Sequence, residues 1–509
     1  MALFFTLFTN YSFYKNVLEV YPLGGINNIY ILSLTVVLFS FILFLFTLLS
    51  SRYSTKFILI STLISSSFSS YFMNTYHVVI DSDMLRNAIQ TNLNESLDLL
   101  SIKLLLYVVF LGLLPSFFVY RANIEYASLK TEMFRKIKTT VLALLIIIVM
   151  LFSFSKFYTS FFREHKPLRY YTNPPYWIYS IGDYISKTLN SGEVVVKSIA
   201  MDAKITPSNQ KAKLVIMVVG EATRADHLSL NGYKKATTPL LEQENIINFS
   251  NMYACGTSTA HSVPCMFSMF TRDNYSYKKG ISHENVLDVL YKTNEIDILW
   301  RDNNSDSKGV ALRVAYEDYK DPKNNTLCQD RECRDEGMLV GLDGYIEQHN
   351  KKDIFIVLHQ MGNHGPAYFK RYPKEFEKFR PICQSNQLEN CTQESISNAY
   401  DNALLYTDYF LSKVINMLKK YENTYQTSML YMSDHGESLG ENGLYLHGLP
   451  YFMAPDAQTH IGAVVWFGKN NRKRIDPNKI YSHDNLFHTL LGLFQVETNV
   501  YNEKMDMFR

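Results

Sequence analysis

Residues 214–221, LVIMVVGE, are a run of apolar and mostly β-branched side chains that ends in a glycine and a carboxylate. Two later runs end in a similar way: Ile354–Leu358 leads into His359, and Met429–Met432 leads into SDHG at 433–436. Each run precedes a polar turn and a helical pattern, which is typical of parallel strands in an α/β domain. Ligands of such sheets bind beyond the carboxyl ends of the strands, so we expect these polar side chains to converge.

Glu221, Asp434 and His435 supply two carboxylates and an imidazole at this predicted edge. The set suits a zinc ion with one coordination position left open. Glu221 alone is also explained as a helix cap. His364 and His447 remain as proton donors, substrate ligands or ligands of a second metal.

The segment Ala254–Phe267, ACGTSTAHSVPCMF, places several small hydroxyl residues between two cysteines. A turn of small residues that enters a helix offers free N–H groups and a positive dipole end, which suit a phosphate group. A hydroxyl there can act as a nucleophile if a metal lowers its pKa. Spacing does not choose among the candidates, and a simple helix cap explains the run taken alone. The candidates are Thr257, Ser258, Thr259 and Ser262.

The cysteines all lie after residue 254 and fall into three sequential pairs. No pair has the two-residue gap of a zinc ribbon, so a metal-thiolate site is a poor interpretation. Local pairing favours three short-loop disulfides in an oxidising compartment over six free thiols. The six are Cys255, Cys265, Cys328, Cys333, Cys383 and Cys391.

The first third of the chain is strongly apolar and predicts five membrane spans. Arg and Lys residues cluster in the loops after the second and fourth spans, which places those loops in the cytoplasm by the positive-inside rule. An odd number of spans then puts the rest of the chain outside, in agreement with the predicted disulfides. The predicted spans are a first helix running from Ala2 towards Val20, then Ile29–Leu49, Phe57–Met73, Ile102–Tyr120 and Thr139–Tyr158.

The loop at about 74–101 would lie on the same outer side, and within it Asn87, Thr91 and Glu95 are spaced four residues apart. On a helix they form one polar stripe, which is either a solvated face or a surface that meets a lipid head group. We expect a membrane domain over 1–158, an interfacial segment over 159–210 and a catalytic domain over 211–509. The net charge of +2 argues against a nucleic-acid partner.

Several long motifs resemble the membrane-bound phosphoethanolamine transferases of Gram-negative bacteria, the lipid A-modifying enzymes that include those of colistin (polymyxin) resistance. The resemblance covers nearly the whole chain. Its motifs are HVVIDSDMLRNAIQTN (77–92), FFREHKPLRY (161–170), VVGEATRADHLSLNGY (218–233), CGTSTAHSVPCMFS (255–268), WRDNNSDSKG (300–309), HQMGNHGPAY (359–368), YDNALLYTDYFL (400–411) and SDHGESLGENGLYLHG (433–448).

The resemblance implies a five-helix transmembrane domain in the inner membrane and a periplasmic α/β/α sandwich of the alkaline phosphatase and sulfatase type. It implies disulfides 255–265, 328–333 and 383–391. It also implies one tightly bound zinc ion, with room for a second. The zinc ligands would be Glu221, Thr259, Asp434 and His435, with Thr259 as the nucleophile that becomes phosphoethanolamine-modified.

The same resemblance assigns substrate positions. His364 and His447 match substrate or second-zinc histidines, Ser305 and Lys308 match the substrate cavity, and Asn87, Thr91 and Glu95 match the lipid-donor site. The implied reaction transfers phosphoethanolamine from phosphatidylethanolamine to lipid A through a phosphothreonine, with core heptose or a periplasmic protein as other acceptors. We expect a monomer.

Two other functions stay in view. A phosphoglycerol transferase of the lipoteichoic-acid type also has five spans and a threonine nucleophile, but the cysteine pairs favour the phosphoethanolamine group. A catalytically silent membrane sensor would be indicated by loss of a zinc ligand, and all four are present. A sulfatase is disfavoured because the chain has no Cys/Ser-x-Pro-x-Arg element for a formylglycine.

Overall fold

The structure, a computed structural model, describes residues 1–91, 93–189, 195–206, 210–329, 332–350, 352–469 and 475–509, with the backbone alone at 93–95 and 187–189. The chain divides into two compact units, residues 1–85 with 100–186 and residues 86–99 with 187–509. The predicted domain limits at 158 and 210 differ from these divisions and stay predictions.

The first unit is helical, and three of its helices are long and apolar enough to cross a membrane by length and composition: Asn27–Leu49, Ile102–Arg121 and Leu129–Ser153. Ile102–Arg121 contains a π-helical turn at Val108–Leu113. A further helix, Thr55–Thr75, coincides with the predicted span Phe57–Met73 but is rich in serine. The remaining helices, two of which run on into the second unit, are Ala2–Phe8, Tyr11–Val20, Ser82–Gln90, Ser155–Arg163, the 3-10 helix Lys166–Tyr171 and Pro175–Leu189.

The prediction of one continuous first helix to Val20 is wrong, because the chain breaks at Thr9 and Asn10. The buried Asn10 amide donates to the Phe5 carbonyl (2.9 Å) and to the Asn173 carbonyl (2.5 Å), and its Oδ1 accepts the Asn173 N–H (2.8 Å). A side chain that satisfies helix-end carbonyls stabilises a break at that point. The predicted span Thr139–Tyr158 is also shifted: its helix begins at Leu129 and ends at Ser153.

The second unit is built on a seven-stranded sheet that contains the three strands predicted from the apolar runs. In chain order its strands are β1 (Lys213–Gly220), β2 (Ile246–Asn248), β3 (Ile296–Asp302), β4 (Ala315–Asp318), β5 (Asp353–His359), β6 (Gln426–Ser433) and β7 (Ala463–Phe467). Across the sheet the order is β2-β7-β6-β1-β5-β3-β4. The neighbours from β6 to β4 are parallel, and β7 runs antiparallel to both β6 and β2. Short two-residue strands complete the unit at Lys204–Ile205, Met252–Tyr253, Cys328–Gln329, Glu332–Cys333, Ser438–Leu439, Tyr445–Leu446, His460–Ile461, Tyr481–Ser482 and Val496–Glu497.

Helices cover both faces of the sheet, so its central strands are buried on both sides. Alternate residues of β1 enter opposite cores: Val215 packs with helix Val286–Lys292 and helix Leu486–Leu493, and Ile216 packs with helix Gln393–Lys420. The α/β/α sandwich is therefore confirmed. The other α-helices of this unit are Leu93–Asp98, Thr259–Met266, Tyr277–Ile281, Leu342–Gln348 and Asp456–Thr459.

All six cysteines are paired, as predicted, in Cys255–Cys265, Cys328–Cys333 and Cys383–Cys391. Each bridge closes a short loop in the second unit. The first one links Cys255, which precedes the hydroxyl-rich turn, to Cys265 within helix Thr259–Met266.

Candidate active site

The ends of β1 and β6 bring the two predicted carboxylates together. Gly220 pairs with Ser433 in the parallel register, so Glu221 and Asp434 follow at the same edge of the sheet. Both side chains are completely buried, as is His435. The backbone at Ala222 is left-handed (φ 56°), and its N–H donates to Asp434 Oδ1 (3.1 Å), which fixes the turn after Glu221.

The helix Thr259–Met266 places one hydroxyl against this pair. Thr259 Oγ1 donates to Glu221 Oε2 (3.1 Å) and lies 3.3 Å from His435 Nε2. The Thr257 hydroxyl instead donates to the Leu449 carbonyl (2.6 Å), and the Ser262 hydroxyl accepts the Gly256 N–H (2.9 Å). Among these three hydroxyls, Thr259 is the one in contact with the carboxylate and the imidazole. Its position in the first turn of a helix is suited to a negatively charged group.

His435 Nε2 is the common neighbour of the predicted ligands. Its distances are 3.4 Å to Glu221 Oε1 and 3.3 Å to Asp434 Oδ2, besides the contact with Thr259. His435 Nδ1 lies 2.8 Å from the Gly436 carbonyl, an acceptor, so this hydrogen bond assigns the proton to Nδ1 and leaves a lone pair on Nε2.

The lone pair of His435 Nε2 therefore lies close to carboxylate oxygens of Glu221 and Asp434, which also carry lone pairs. These atoms repel one another unless a cation lies between them. Burial lowers the pKa of His435, although Asp434 opposes that shift, so the ring is poorly suited to supply a proton at Nε2. Asp434 Oδ2 accepts no hydrogen bond from the part of the chain that the structure describes. Burying such an oxygen is costly without a partner. The donor set of imidazole nitrogen, carboxylate oxygens and a hydroxyl therefore fits a zinc ion.

His447 offers a further ligand atom close to this set. Glu221, His435 and His447 each present an atom within 4.8 Å of the others. The His447 and His435 rings are 4.2 Å apart between centroids. His447 Nδ1 bonds Glu437 Oε2 (2.7 Å), and the Tyr368 hydroxyl donates to Glu437 Oε1 (2.7 Å). The buried Glu437 thus fixes the orientation of His447, in the way that carboxylates orient histidines at metal sites.

His364 lies beside this group, with its ring centroid 5.9 Å from that of His447. Burial and the nearby Arg371 guanidinium hold the pKa of His364 well below its usual range, so the ring is neutral at neutral pH. Arg371 Nε donates to the His364 carbonyl (2.8 Å), while its other nitrogens bond Asp98 (2.8 Å) and Glu332 (2.6 Å). His364 is therefore fixed through its backbone by a buried arginine.

Asn304 was not identified from the sequence, although it lies in the quoted motif at 300–309. Its amide donates to Glu221 Oε2 (2.8 Å) and to the Gln360 carbonyl (2.7 Å), and the residue is completely buried. Asn304 follows shortly after the end of a parallel strand, and the rule that polar residues at such ends converge, which predicts Glu221, would also predict Asn304. Glu437 could have been found in the same way, since it follows His435 closely.

The structure brings some of the predicted substrate residues together. Lys308 Nζ donates to the Ser305 carbonyl (3.1 Å) and to the Gln90 carbonyl (3.4 Å), so the two motifs meet within the second unit. Thr91 Oγ1 donates to the Asn87 carbonyl one helical turn earlier (2.7 Å). The side chain of Glu95 lies outside the described residues.

Comparisons with known proteins agree over the full length. Residues 213–496 match the sulfatase family, and residues 38–189 match the family described as phosphoethanolamine transferase EptA/EptB. The chain is 45% identical to the phosphatidylethanolamine transferase Mcr-2 of Escherichia coli, over 97% of this chain and 94% of that protein. It is 38% identical to the phosphoethanolamine transferase EptA of Escherichia coli K12, over 100% and 95% of the two chains.

A solved structure gives the same picture. The integral membrane lipooligosaccharide phosphoethanolamine transferase A (EptA) of Neisseria meningitidis superposes with a TM-score of 0.95 at 34% identity, over 100% of this chain and 97% of that one. The match includes the first unit, called the membrane unit from here on, as well as the second, called the α/β unit.

Proposed function

This chain belongs to the membrane-bound phosphoethanolamine transferase family, and we propose that it moves phosphoethanolamine from phosphatidylethanolamine to lipid A through a phosphothreonine at residue 259. The observation that supports the proposal most directly is the contact of Thr259 Oγ1 with both Glu221 and His435. Full-length similarity to named transferases supports the donor and the reaction class.

Glu221, Asp434, His435 and the Thr259 hydroxyl would hold one zinc ion, with His447 available to a second. Zinc supplies positive charge that lowers the pKa of a bound hydroxyl and stabilises negative charge on phosphoryl oxygens. Asn304 holds Glu221 Oε2, the oxygen that accepts the Thr259 hydroxyl, so the carboxylate is oriented before substrate binds. Orientation of this kind is a large part of what phosphoryl transfer requires.

The proposed reaction has two displacements. The Thr259 hydroxyl loses its proton to water, and Oγ1 attacks the phosphorus of the donor. The bond from phosphorus to the diacylglycerol oxygen breaks, and that oxygen leaves with the electron pair and takes a proton. A phosphate or sugar oxygen of the acceptor then attacks the phosphorus of phosphothreonine and gives up any proton it carries. The bond from phosphorus to Thr259 Oγ1 breaks, and Oγ1 leaves with the electron pair and is protonated again. The proton donor would be His447, His364 or water. We favour His447, because the Glu437 carboxylate can stabilise a positive ring whereas His364 stays neutral.

The membrane unit would cross the inner membrane five times, with the α/β unit in the periplasm. The three long apolar helices support this arrangement, as does the distribution of basic residues between loops. Diacylglycerol would then stay in the outer leaflet after transfer. Addition of a cationic ethanolamine to an anionic lipid lowers the surface charge and weakens the binding of cationic peptides such as polymyxins.

Intact-mass analysis of the full-length protein, purified from cells that contain phosphatidylethanolamine, tests the proposal. We expect the added mass of one phosphoethanolamine group on Thr259 in the wild type and none in Thr259→Ala. Thr257→Ala is the matched control, since it removes a neighbouring hydroxyl that bonds elsewhere.

A glycerophosphate adduct would instead identify a phosphoglycerol transferase. Absence of any adduct in both the wild type and the control, together with no transfer to lipid A in a parallel assay, would support the silent-sensor alternative. Transfer to core heptose or protein, but not to lipid A, would correct the acceptor and keep the mechanism.

A further inference from the structure

The first unit contains a cavity of about 800 Å³ at the ends of three helices, Asn27–Leu49, Thr55–Thr75 and Leu129–Ser153. The apolar residues that line the cavity include Leu43, Phe46, Leu59 and Met133. Its polar lining residues, here called the polar end, come from the loop after Asn27–Leu49 and from the start of Leu129–Ser153. A cavity of this volume is in the range of small-molecule sites.

An apolar cavity of about 490 Å³ adjoins it, because Met1 and Leu59 line both. Its other walls include Phe110, Leu114 and Phe118. The described cavities thus combine a set of polar and charged lining residues with two sets of apolar ones. That division matches an amphiphile with a polar head group and hydrocarbon chains.

The polar end has an excess of positive charge. Arg52, Arg135 and Lys136 line it, against the single acid Glu132. Arg135 Nη1 lies 3.4 Å from Glu132 Oε1. Lys136 donates to the carbonyl of Ser50, which caps the end of helix Asn27–Leu49. Arg52 forms no ion pair or hydrogen bond with the residues that the structure describes, so its charge is available to a ligand. Guanidinium and ammonium groups are the side chains that bind phosphate groups.

We propose that this cavity binds a phospholipid with an anionic head group, whose phosphate contacts Arg52 and Lys136 and whose acyl chains lie against the apolar lining residues. The charge selects an anionic lipid over the zwitterionic donor. The basic loops that form the polar end are those assigned above to the cytoplasm, so the lipid would come from the inner leaflet. That leaflet assignment rests on the proposed orientation, whereas the binding itself does not.

Native mass spectrometry of the purified full-length protein with phosphatidylglycerol tests the proposal. We expect the protein to bind phosphatidylglycerol more tightly than phosphatidylcholine. Arg52→Gln and Lys136→Gln should each weaken phosphatidylglycerol binding roughly fivefold, and the double variant about 25-fold. Lys138→Gln is the matched control, because this lysine is in the same helix but does not line the cavity.

Equal binding of the two lipids, or equal losses in the control and the cavity variants, would overturn the proposal. Melting temperatures of the variants separate loss of binding from loss of folding. If a variant fails to fold, photo-crosslinking of the wild type with a diazirine-labelled phosphatidylglycerol decides instead. Adducts concentrated in residues 43–59 and 126–139 support the site, and adducts spread evenly over the apolar helices contradict it. Neither readout depends on transferase activity, so the two proposals can fail separately.

Discussion

Both compact units bury a cluster of polar side chains, and the two clusters are satisfied in opposite ways. In the membrane unit, Asn173 bonds Asn10 through its backbone, donates to Ser66 and Ser70, and accepts from Trp177, at 2.5–3.0 Å. In the α/β unit, Glu221 and Asp434 face the lone pair of His435, and one Asp434 oxygen accepts no hydrogen bond from the described residues.

The difference separates a structural polar cluster from one prepared for a ligand. A buried group whose partners are all in the protein stabilises the fold and gains nothing from an added ion. A buried carboxylate oxygen that accepts no hydrogen bond costs stability until a cation arrives. Substitutions in the two clusters should therefore change stability and activity in different combinations.

The largest effect is expected for Asp434→Asn, which keeps the shape of the side chain and removes its charge. Transfer activity should fall by about 10³-fold, because an electrostatic contribution at the reacting phosphoryl group is lost. Bound zinc, measured by elemental analysis, should fall as well, and chelator should lower the melting temperature of the wild type more than that of the variant. Retained zinc with full activity would contradict the assignment of Asp434.

His483 tests whether a satisfied polar group in the α/β unit behaves like those of the membrane unit. Its Nδ1 accepts the Cys255 N–H (3.0 Å), its Nε2 donates to the Ser433 carbonyl (2.9 Å), and burial lowers its pKa to about 4. Between pH 6.5 and about 4, the unfolded chain binds more protons at this position than the folded chain does. The stability that neutral His483 contributes is therefore complete above pH 6.5 and is lost as the pH falls towards 4.

The total loss from His483 should approach about 3 kcal/mol. His483→Gln, whose amide can donate and accept, should flatten the fall in melting temperature between pH 6.5 and 4. His488→Gln, at a less buried histidine of the same unit, is the control. An unchanged pH slope in His483→Gln would exclude this source of acid sensitivity.

Glu437→Gln should reduce kcat by about 10–100-fold, since the carboxylate that orients His447 becomes a neutral amide. The amide can still accept the Tyr368 hydroxyl, so the melting temperature should change little. A purely structural role would instead lower stability with kcat preserved. The pH profile of kcat should also shift if His447 is the proton donor.

The smallest effect is expected in the membrane unit. Asn173→Ala should destabilise it by about 1 kcal/mol, because several buried partners lose their hydrogen bonds together. Asn16→Ala is the control, since the Asn16 amide donates to the Ser12 carbonyl of its own helix (2.8 Å) and so makes a local contact. Unfolding in sodium dodecyl sulfate measures both, and equal losses in the two variants would remove the distinction drawn between the clusters.

The α/β unit, the pairing of the cysteines and the strand ends that hold Glu221, Asp434 and His435 can all be predicted from the sequence alone. These features follow from local patterns: β-branched runs report buried parallel strands, and neighbouring cysteines close short loops. The boundaries of the membrane helices were less accessible, because hydropathy records the apolar part of a helix and not its polar first turns or a break such as that at Asn10.

Only the tertiary structure distinguished Thr259 from Thr257 and Ser262 by contact, and only it brought Asn304 and Glu437 to the site. Spacing along the chain does not reveal which hydroxyl points at a carboxylate contributed by another strand. It also does not reveal which carboxylate oxygen lacks a partner. Both depend on the parallel register of β1 and β6, which brings Glu221 and Asp434 together although they are far apart in sequence.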